Sequence, residues 1–378
     1  KTTKQQNNKT TKQSTPTEEQ YITRNYNDNN AMNIIRPTTL SKSAIQIIQA
    51  TAAAVAPKAE EITTRFYENM FRNNPEVLSF FNKANNTTKK QPRALAHAVV
   101  AYANNIDNLG VLGSAINAMA VKHCGLQVLP QHYSIVEDNL MLTIGEVLGD
   151  AVTEEVASGW KEAVQFLSGT LINVEENLYS EAEKRQGGWR GWKQFLVKEH
   201  EKIADGTVLI TLAADNLPID FSPGQFLTIR ANDVKAPRHY TIVSSPGEKF
   251  LQIAVKQVEG GAMSTFIHND LKQGSTLEVS PPFGNFVASA NKDSVLISGG
   301  IGITTMVAFQ KSLGDKVKKI IHVDQSSEKH AFLTLQQGVN CDKKFFYSKT
   351  DRRPNLESIV NEAIVVGPDT NIYICGPG

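Results

Sequence analysis

A cation, an aromatic ring and a hydroxyl group follow one another in the stretch Arg238-His239-Tyr240-Thr241. The surrounding segment is rich in glutamine, phenylalanine, valine and isoleucine, which predicts that the four residues lie on one β-strand. A guanidinium pairs bidentately with a pyrophosphate, a phenol ring stacks on a flat ring system, and a small hydroxyl hydrogen-bonds its edge. A flavin needs all three groups, so we predict a flavin site at these four residues.

Two neighbouring segments support a dinucleotide at this place. Residues 223–226 (PGQF) precede the stretch and end on Phe226, and residues 259–264 (EGGAMS) follow it and open a short helix. Backbone N–H groups at a helix start can hold a pyrophosphate, so Gly261, Met263 and Ser264 become candidate contacts. The same glycine pair also fits an ordinary hairpin turn.

A second glycine-rich segment, residues 298–305 (SGGIGITT), lies between an apolar strand and a helix. Strand, turn and helix in this order are typical of a βαβ unit in an α/β domain. Gly300, Gly302 and Thr304 are then candidate contacts for a second dinucleotide, although a lone glycine run is a weak signal.

The first half of the chain has a helical pattern and contains a histidine of interest. Ile62, Phe66 and Met70 recur at helical spacing, which predicts one buried face. His123 ends the helical run 118–123 (AMAVKH), and a neutral imidazole on an apolar helix face is a typical haem ligand. A lone histidine is more often an ordinary core or surface residue, so its surroundings must decide.

Changes of pattern divide the chain into four parts. Residues 1–36 form a polar tail for which the composition predicts disorder, with a mitochondrial targeting segment as the alternative. Residues 37–186 are predicted to be all-α, residues 187–290 an antiparallel β-barrel and residues 291–378 an α/β domain. Both ends look like those of a fragment, so we expect the last domain to be incomplete.

The bulk composition is that of a soluble globular protein. Of 378 residues, 40% are hydrophobic and 20% are charged, and the net charge of +1 gives no basis for binding nucleic acid. No apolar run reaches the roughly 20 residues of a membrane helix. The three cysteines lack metal-type spacing and suit a reducing compartment. We therefore expect a cytoplasmic protein, a monomer, without nucleic-acid or membrane partners.

The helical region resembles the haem domain of the flavohaemoglobin family, in order and in spacing, over roughly residues 40 to 186. The resemblance implies haem b, with His123 as the proximal iron ligand and Tyr133 as its partner. It also implies a distal pocket of Tyr67, Gln91 and Leu95, with Phe81 packed on the haem. A phenol and an amide can both hydrogen-bond dioxygen in such a pocket. The segments that carry the resemblance are 65–71 (RFYENMF), 74–76 (NPE), 80–82 (FFN), 91–98 (QPRALAHA), 122–123 (KH) and 131–136 (QHYSIV).

One position departs from the family pattern. The family usually has a glutamate near the end of its last globin helix, and this glutamate helps to orient the proximal histidine. Matching Ile172 and Tyr179 to the ends of that helix places Asn177 there. A neutral amide would make His123 a weaker electron donor, which predicts a higher iron potential. Glu175 or Glu176 could substitute for it.

The second half resembles the ferredoxin-reductase-like module that holds FAD and NAD(P)H in the same family. The flavin stretch, both glycine-rich segments and residues 373–377 (YICGP) carry this resemblance. It implies that Cys375 lies near the nicotinamide, although a strand-end cysteine can simply be buried. Asp324 ends the second strand, where an acid can accept from a ribose 2′-OH, and with only Lys329 nearby the sequence favours NADH.

Two expectations follow for the same region. Thr305 stands where the family usually has proline, which predicts a less rigid turn. The resemblance also predicts further chain after Gly378, including a segment that covers the flavin.

Together the resemblances imply a nitric oxide dioxygenase. NAD(P)H would reduce FAD, FAD would reduce the haem, and nitric oxide and dioxygen would give nitrate. One alternative is an NAD(P)H diaphorase that passes electrons to a protein or a quinone. Another is an oxygen-binding or sensing globin that its reductase keeps ferrous.

Overall fold

The computed structural model describes residues 36–81, 89–231, 234–350, 355–364 and 369–377. The predicted disorder of the polar tail falls on residues outside these ranges. Within them, the predicted order of an all-α part, an antiparallel β-barrel and an α/β part is confirmed.

The first part is helical. Ser41 caps its first helix by accepting a hydrogen bond from the Ala44 N–H at 3.0 Å, and Thr153 caps its last helix in the same way through Val156. Pro130 is the first residue of the fifth helix, where its missing N–H has no partner to lose. The helices are α1 Lys42–Val55, α2 Ala59–Asn73, α3 Lys90–Asn104, α4 Gly113–Leu126, α5 Pro130–Leu148 and α6 Glu154–Lys184.

One apolar core holds these helices together. The predicted face of α2, with Ile62, Phe66 and Met70, is buried in it. Trp160 of α6 packs into the same core and donates its indole N–H to Thr51 at 3.0 Å. Among the described residues, no helix combines the length and the apolar character that a membrane crossing requires.

The second part is a six-stranded antiparallel sheet in the order β4-β3-β6-β1-β2-β5. A bridge between Ile242, directly after β4, and Ile253 of β5 joins the two ends of this order, as the predicted barrel requires. Alternating side chains of the strands fill the interior with apolar groups. The elements are β1 Lys193–Ala204, β2 Thr207–Ala213, β3 Phe226–Ala231, β4 Val234–Thr241, β5 Leu251–Lys256, α7 Ala262–Asn269 and β6 Thr276–Val279.

The third part is a parallel four-stranded sheet in the order β10-β7-β8-β9. Strand β7, its glycine-rich turn and the following helix form the predicted βαβ start, and that helix is almost wholly buried. The elements are β7 Asp293–Gly299, α8 Ile303–Leu313, β8 Val317–Asp324, α9 Leu333–Gln337, β9 Asp342–Tyr347, α10 Leu356–Ile364 and β10 Thr370–Cys375.

Candidate functional site

A cavity of about 260 Å³ opens in the helical part, and His123 lies in its wall. The polar groups around it are Gln91, Lys122, His123, His132 and Tyr133. The remaining wall is apolar, which suits a flat hydrophobic ligand. Its apolar side chains are Met70, Val77, Phe80, Phe81, Met119, Leu126, Val128, Ile135 and Val136.

The imidazole of His123 is fixed by two buried oxygens. Its Nδ1 lies 2.7 Å from Glu175 Oε1 and 3.0 Å from the Tyr133 hydroxyl. Tyr133 also donates a hydrogen bond to the same Glu175 carboxylate. Burial, reinforced by this carboxylate, raises the pKa of the Tyr133 hydroxyl, so the phenol keeps its proton. With Nδ1 engaged, Nε2 is the ring nitrogen that remains for a metal.

The expectation that Asn177 faces the histidine is wrong. Asn177 is exposed, whereas Glu175 is 2% exposed and reaches His123. The reason is helical geometry, because two residues along a helix amount to a rotation of roughly 200°. Leu171 and Tyr179, one turn before and after Glu175, are both buried. In the sequence, the clue to Glu175 is that an acidic residue lies midway between two apolar residues, Leu171 and Tyr179, on the same face of the helix.

The predicted distal residues gather on the α2 and α3 side. Burial raises the pKa of Tyr67 to about 12, while a hydrogen bond with the Gln91 side chain opposes this shift. The ring of Phe81 meets Tyr67 edge to face, with centroids 5.7 Å apart. Leu95 packs on the helical core one turn after Gln91. Gln91 and Phe81 line the cavity, whereas Tyr67 and Leu95 are not among the residues that line it.

The sequence did not single out His132, which also lines the cavity. Its Nδ1 accepts a hydrogen bond from the Leu129 N–H at 3.0 Å, and its ring lies 4.8 Å from that of Phe80. Burial lowers the pKa of His132, so the ring is neutral near neutral pH. Its position beside Tyr133, on the first turn of α5, was the available clue.

These groups fit a haem. The apolar cavity presents the imidazole of His123, and a carboxylate and a phenol hold the opposite nitrogen of that ring, which is how proteins orient and strengthen a histidine ligand. In the part of the chain that the structure describes, no cluster of three or more His, Cys, Asp or Glu side chains could hold a metal ion by itself.

The predicted flavin stretch lies on β4 and pairs with β3, which sets Leu227 opposite Tyr240 and Ile229 opposite Arg238. Burial raises the pKa of Tyr240 to about 12, and the positive charge of Arg238 beside it opposes this shift. Arg238 and Tyr240 share one face of the strand because side chains alternate. A cation and a phenol ring are therefore next to each other, as a flavin dinucleotide requires.

His239 points to the other face of β4, towards the helical part. Its Nδ1 lies 2.7 Å from the Thr228 hydroxyl, and its ring lies 4.7 Å from that of Phe226. Both rings touch Gly125 of α4, since a Cβ there would lie 2.8 Å from Phe226 and 3.1 Å from His239. The helix that carries His123 thus packs directly on the predicted flavin strands.

At the start of α7, the side chains of the predicted cofactor contacts Met263 and Ser264 are engaged by the protein itself. Met263 lies in the barrel core, and the Ser264 hydroxyl accepts a hydrogen bond from the Val258 N–H at 3.1 Å. A Cβ on Gly261 would lie 2.7 Å from that hydroxyl, so the turn needs a glycine. A pyrophosphate at this turn would therefore meet backbone N–H groups rather than side chains.

The second glycine-rich turn is packed against the end of β10. Gly300 has a φ of +51°, which favours glycine. A Cβ on Gly302 would lie 2.3 Å from the Cys375 carbonyl oxygen, so only glycine allows this approach. The Thr304 hydroxyl donates to the Ile301 carbonyl at 2.9 Å and closes the turn.

Thr305 follows that turn and is not part of it, so the expected loss of rigidity stays a prediction. It lies in the first turn of α8, and its hydroxyl bridges two predicted site residues. Its oxygen lies 3.4 Å from the Thr241 hydroxyl oxygen, and its O–H group donates a hydrogen bond to Cys375 Sγ at 3.6 Å. The end of the flavin strand and the predicted nicotinamide cysteine are thereby brought together.

Asp324 ends β8 as predicted, but its side chain is only 4% exposed. Oδ1 accepts a hydrogen bond from the Gln325 N–H at 2.7 Å and lies 4.0 Å from Lys256 Nζ. Oδ2 lies 3.5 Å from His322 Nε2. Both carboxylate oxygens of Asp324 are engaged by protein groups, which contradicts the expectation that the carboxylate is open to accept a hydrogen bond from a ribose.

Comparison with known proteins agrees with this architecture. The model of the Globin family matches residues 64–171, and that of the Oxidoreductase FAD-binding domain matches residues 194–287. A flavohemoglobin from Malassezia yamatoensis, solved with bound FAD and heme, superposes with a TM-score of 0.76 at 25% identity over 89% of this chain and 92% of that one.

Curated relatives match over nearly their whole length. The flavohemoprotein of Bacillus subtilis is 32% identical over 366 residues, which cover 89% of this chain and 90% of the relative. That of Rhizobium meliloti is 34% identical over 371 residues, covering 89% and 92%. The chain belongs to the flavohemoprotein family, oxidoreductases in which a globin is joined to an FAD-binding reductase.

Proposed function

We propose that this protein is an NAD(P)H-dependent nitric oxide dioxygenase, which converts nitric oxide and dioxygen to nitrate. The observation that carries the proposal is the combination of two polar groups on the distal side with a carboxylate-held histidine, in one chain with a reductase. A globin that only stored oxygen would not need the reductase. A reductase that served soluble acceptors would not need the distal pair.

On the globin side, each residue has a task that follows from its surroundings. His123 offers Nε2 to the iron, while Glu175 and Tyr133 fix its orientation and make it more electron-donating. Tyr67 stays protonated because burial raises its pKa to about 12, so it can donate a hydrogen bond to dioxygen. Gln91, which lines the cavity, makes a hydrogen bond with the Tyr67 side chain and links the phenol to the cavity wall.

On the reductase side, the residues bind and orient two dinucleotides. Arg238 and the start of α7 would hold the FAD pyrophosphate, and Tyr240 would pack on the flavin ring. Thr241 and Cys375 are joined through Thr305, so these residues would hold the flavin edge and the nicotinamide near each other. Bound FAD supplies the conversion of a hydride into single electrons, and bound haem supplies the oxygen chemistry.

The contact at Gly125 provides a short path for electrons from the flavin strands of the barrel to the helical part. There α4, which carries His123, touches Phe226 and His239 on the flavin strands. This contact favours internal reduction of the haem over transfer to a separate electron carrier.

The test is aerobic nitric oxide consumption by the protein loaded with haem and FAD, measured with a nitric oxide electrode and with NADH or NADPH. We expect rapid consumption that requires a dinucleotide and dioxygen. His123→Ala should abolish both the Soret band and the consumption while leaving flavin reduction intact. Flavin without haem would indicate a diaphorase, and haem that binds oxygen without consuming nitric oxide would indicate a sensor.

A further inference from the structure

Lys256 ends β5 of the barrel, yet its ammonium group lies against the α/β part. Its Nζ is 4.0 Å from Asp324 Oδ1. A Cβ placed on Gly300 would lie 3.5 Å from the same Nζ, so the lysine covers the second glycine-rich turn. Its side chain is 30% exposed, and a ligand that settles on this turn can therefore reach it.

Asp324 serves as the internal counter-ion of this lysine. Its carboxylate is almost wholly buried between Lys256 and His322, which is itself fully buried. The other ring nitrogen of His322 lies 2.8 Å from the Ser298 hydroxyl at the end of β7. Strands β7 and β8 fix the Asp324 carboxylate through His322. The carboxylate can therefore hold the flexible Lys256 side chain over Gly300.

We propose that Lys256 binds the pyrophosphate of the nicotinamide dinucleotide, and that Asp324 keeps the lysine in place before the ligand arrives. A lysine binds phosphate as a compact point charge with three donors. The ion pair at 4.0 Å is loose, so the ammonium group can turn to a phosphate without leaving the acid's field. This inference rests on the dinucleotide-binding half of the proposed function and is independent of the nitric oxide chemistry.

A lysine on the pyrophosphate changes the expected cofactor preference. NADH and NADPH share the pyrophosphate, so Lys256 supports both equally. Asp324 is neutralised by Lys256 and buried, so it repels a 2′-phosphate only weakly. The sequence favoured NADH. With Lys256 on the shared pyrophosphate and Asp324 buried, we expect NADH and NADPH to bind with similar affinity.

The test is calorimetric titration of the holoprotein with NAD⁺ and NADP⁺. Lys256→Met should weaken the binding of both ligands by about tenfold, the loss of one charge-assisted contact, and should reduce the salt dependence of binding. Lys256→Arg should bind almost as the wild type does. The matched control is Lys311→Met, since Lys311 crosses the same boundary to the Val243 carbonyl at 2.7 Å without touching the turn.

The Asp324→Asn variant distinguishes two roles for Asp324, the counter-ion of Lys256 and a ligand of the ribose. If Asp324 holds the lysine over the turn, its loss should weaken the binding of both ligands by the same few-fold factor, and this loss should vanish in the Lys256→Met background. Unchanged binding by Lys256→Met, weakening of NADP⁺ alone by Lys256→Met, or weakening of NAD⁺ alone by Asp324→Asn would each overturn the proposal. If the wild type itself bound neither ligand, the proposed function would fail as well.

Discussion

The contact between the haem-side helix and the flavin strands can be tested at Gly125. This residue lies inside α4 and is buried against two rings of the barrel. Alanine would place a Cβ 2.8 Å from Phe226 and 3.1 Å from His239, and both distances are too short for carbon atoms in contact. Since His239 is tied to Thr228 by a hydrogen bond, the pair of rings cannot simply turn away.

The size of the effect follows from two opposing contributions. Overpacking a filled site costs roughly 1–3 kcal/mol, whereas alanine in place of a helical glycine gains about 1 kcal/mol. Gly145→Ala in α5 is the matched control, because nothing lies within 4 Å of its new Cβ. The free energies of unfolding of the two variants should therefore differ by roughly 1–3 kcal/mol, with Gly125→Ala the less stable.

The assay has two readouts. Denaturant unfolding of the helical part gives the stability difference, and anaerobic stopped-flow mixing with NADH gives the rates of flavin and haem reduction. Gly125→Ala should keep flavin reduction at the wild-type rate and slow haem reduction, because the two parts are pushed apart. Equal stabilities for the two variants together with an unchanged rate of haem reduction would refute the contact.

Three further changes have defined outcomes. Glu175→Gln should raise the Fe(III)/Fe(II) potential by roughly 60 mV in spectroelectrochemical titration, the equivalent of a tenfold weaker preference for ferric iron, whereas the exposed Glu176→Gln should leave it unchanged. Tyr67→Phe should make dioxygen dissociate roughly three- to tenfold faster in laser photolysis or stopped-flow measurements. Burial lowers the pKa of His330 from 6.5 to about 4, so between these values the unfolded chain binds more protons and stability falls as the pH falls. This loss of stability amounts to about 3 kcal/mol. The His330→Phe variant should therefore show a smaller fall in thermal stability between pH 6.5 and about 4. The same dependence of stability on pH in the variant and the wild type would contradict the prediction.

The order of the three parts could be predicted from the sequence, and so could several residues that the structure gathers around the cavity, because short local patterns specify them. His123 and Tyr133 fall in segments whose order and spacing match the family, and Gly300 and Gly302 lie where a strand must turn into a helix. The first choice for the partner of His123, Asn177, was two residues away from Glu175, which the sequence offered only as an alternative. A register matched only at the ends of the 31-residue helix α6 cannot fix which side of it faces the histidine.

Contacts between the parts could not be predicted in the same way. Thr305 meets Thr241 and Cys375 across long stretches of chain, and Lys256 reaches Asp324 from a different sheet. Such contacts depend on how the barrel packs on the α/β part, which no local pattern encodes. The same packing buried the carboxylate of Asp324, where the sequence alone suggested an acid open to a ribose.

The most direct test of the central claim is the yield of nitrate per dinucleotide oxidised, measured under air with a limiting amount of NADH and excess nitric oxide. If electrons pass singly from FAD to a haem that turns nitric oxide and dioxygen into nitrate, each NADH should produce two molecules of nitrate. Oxidation of NADH without nitrate, or nitrate formation that persists in His123→Ala, would contradict the account.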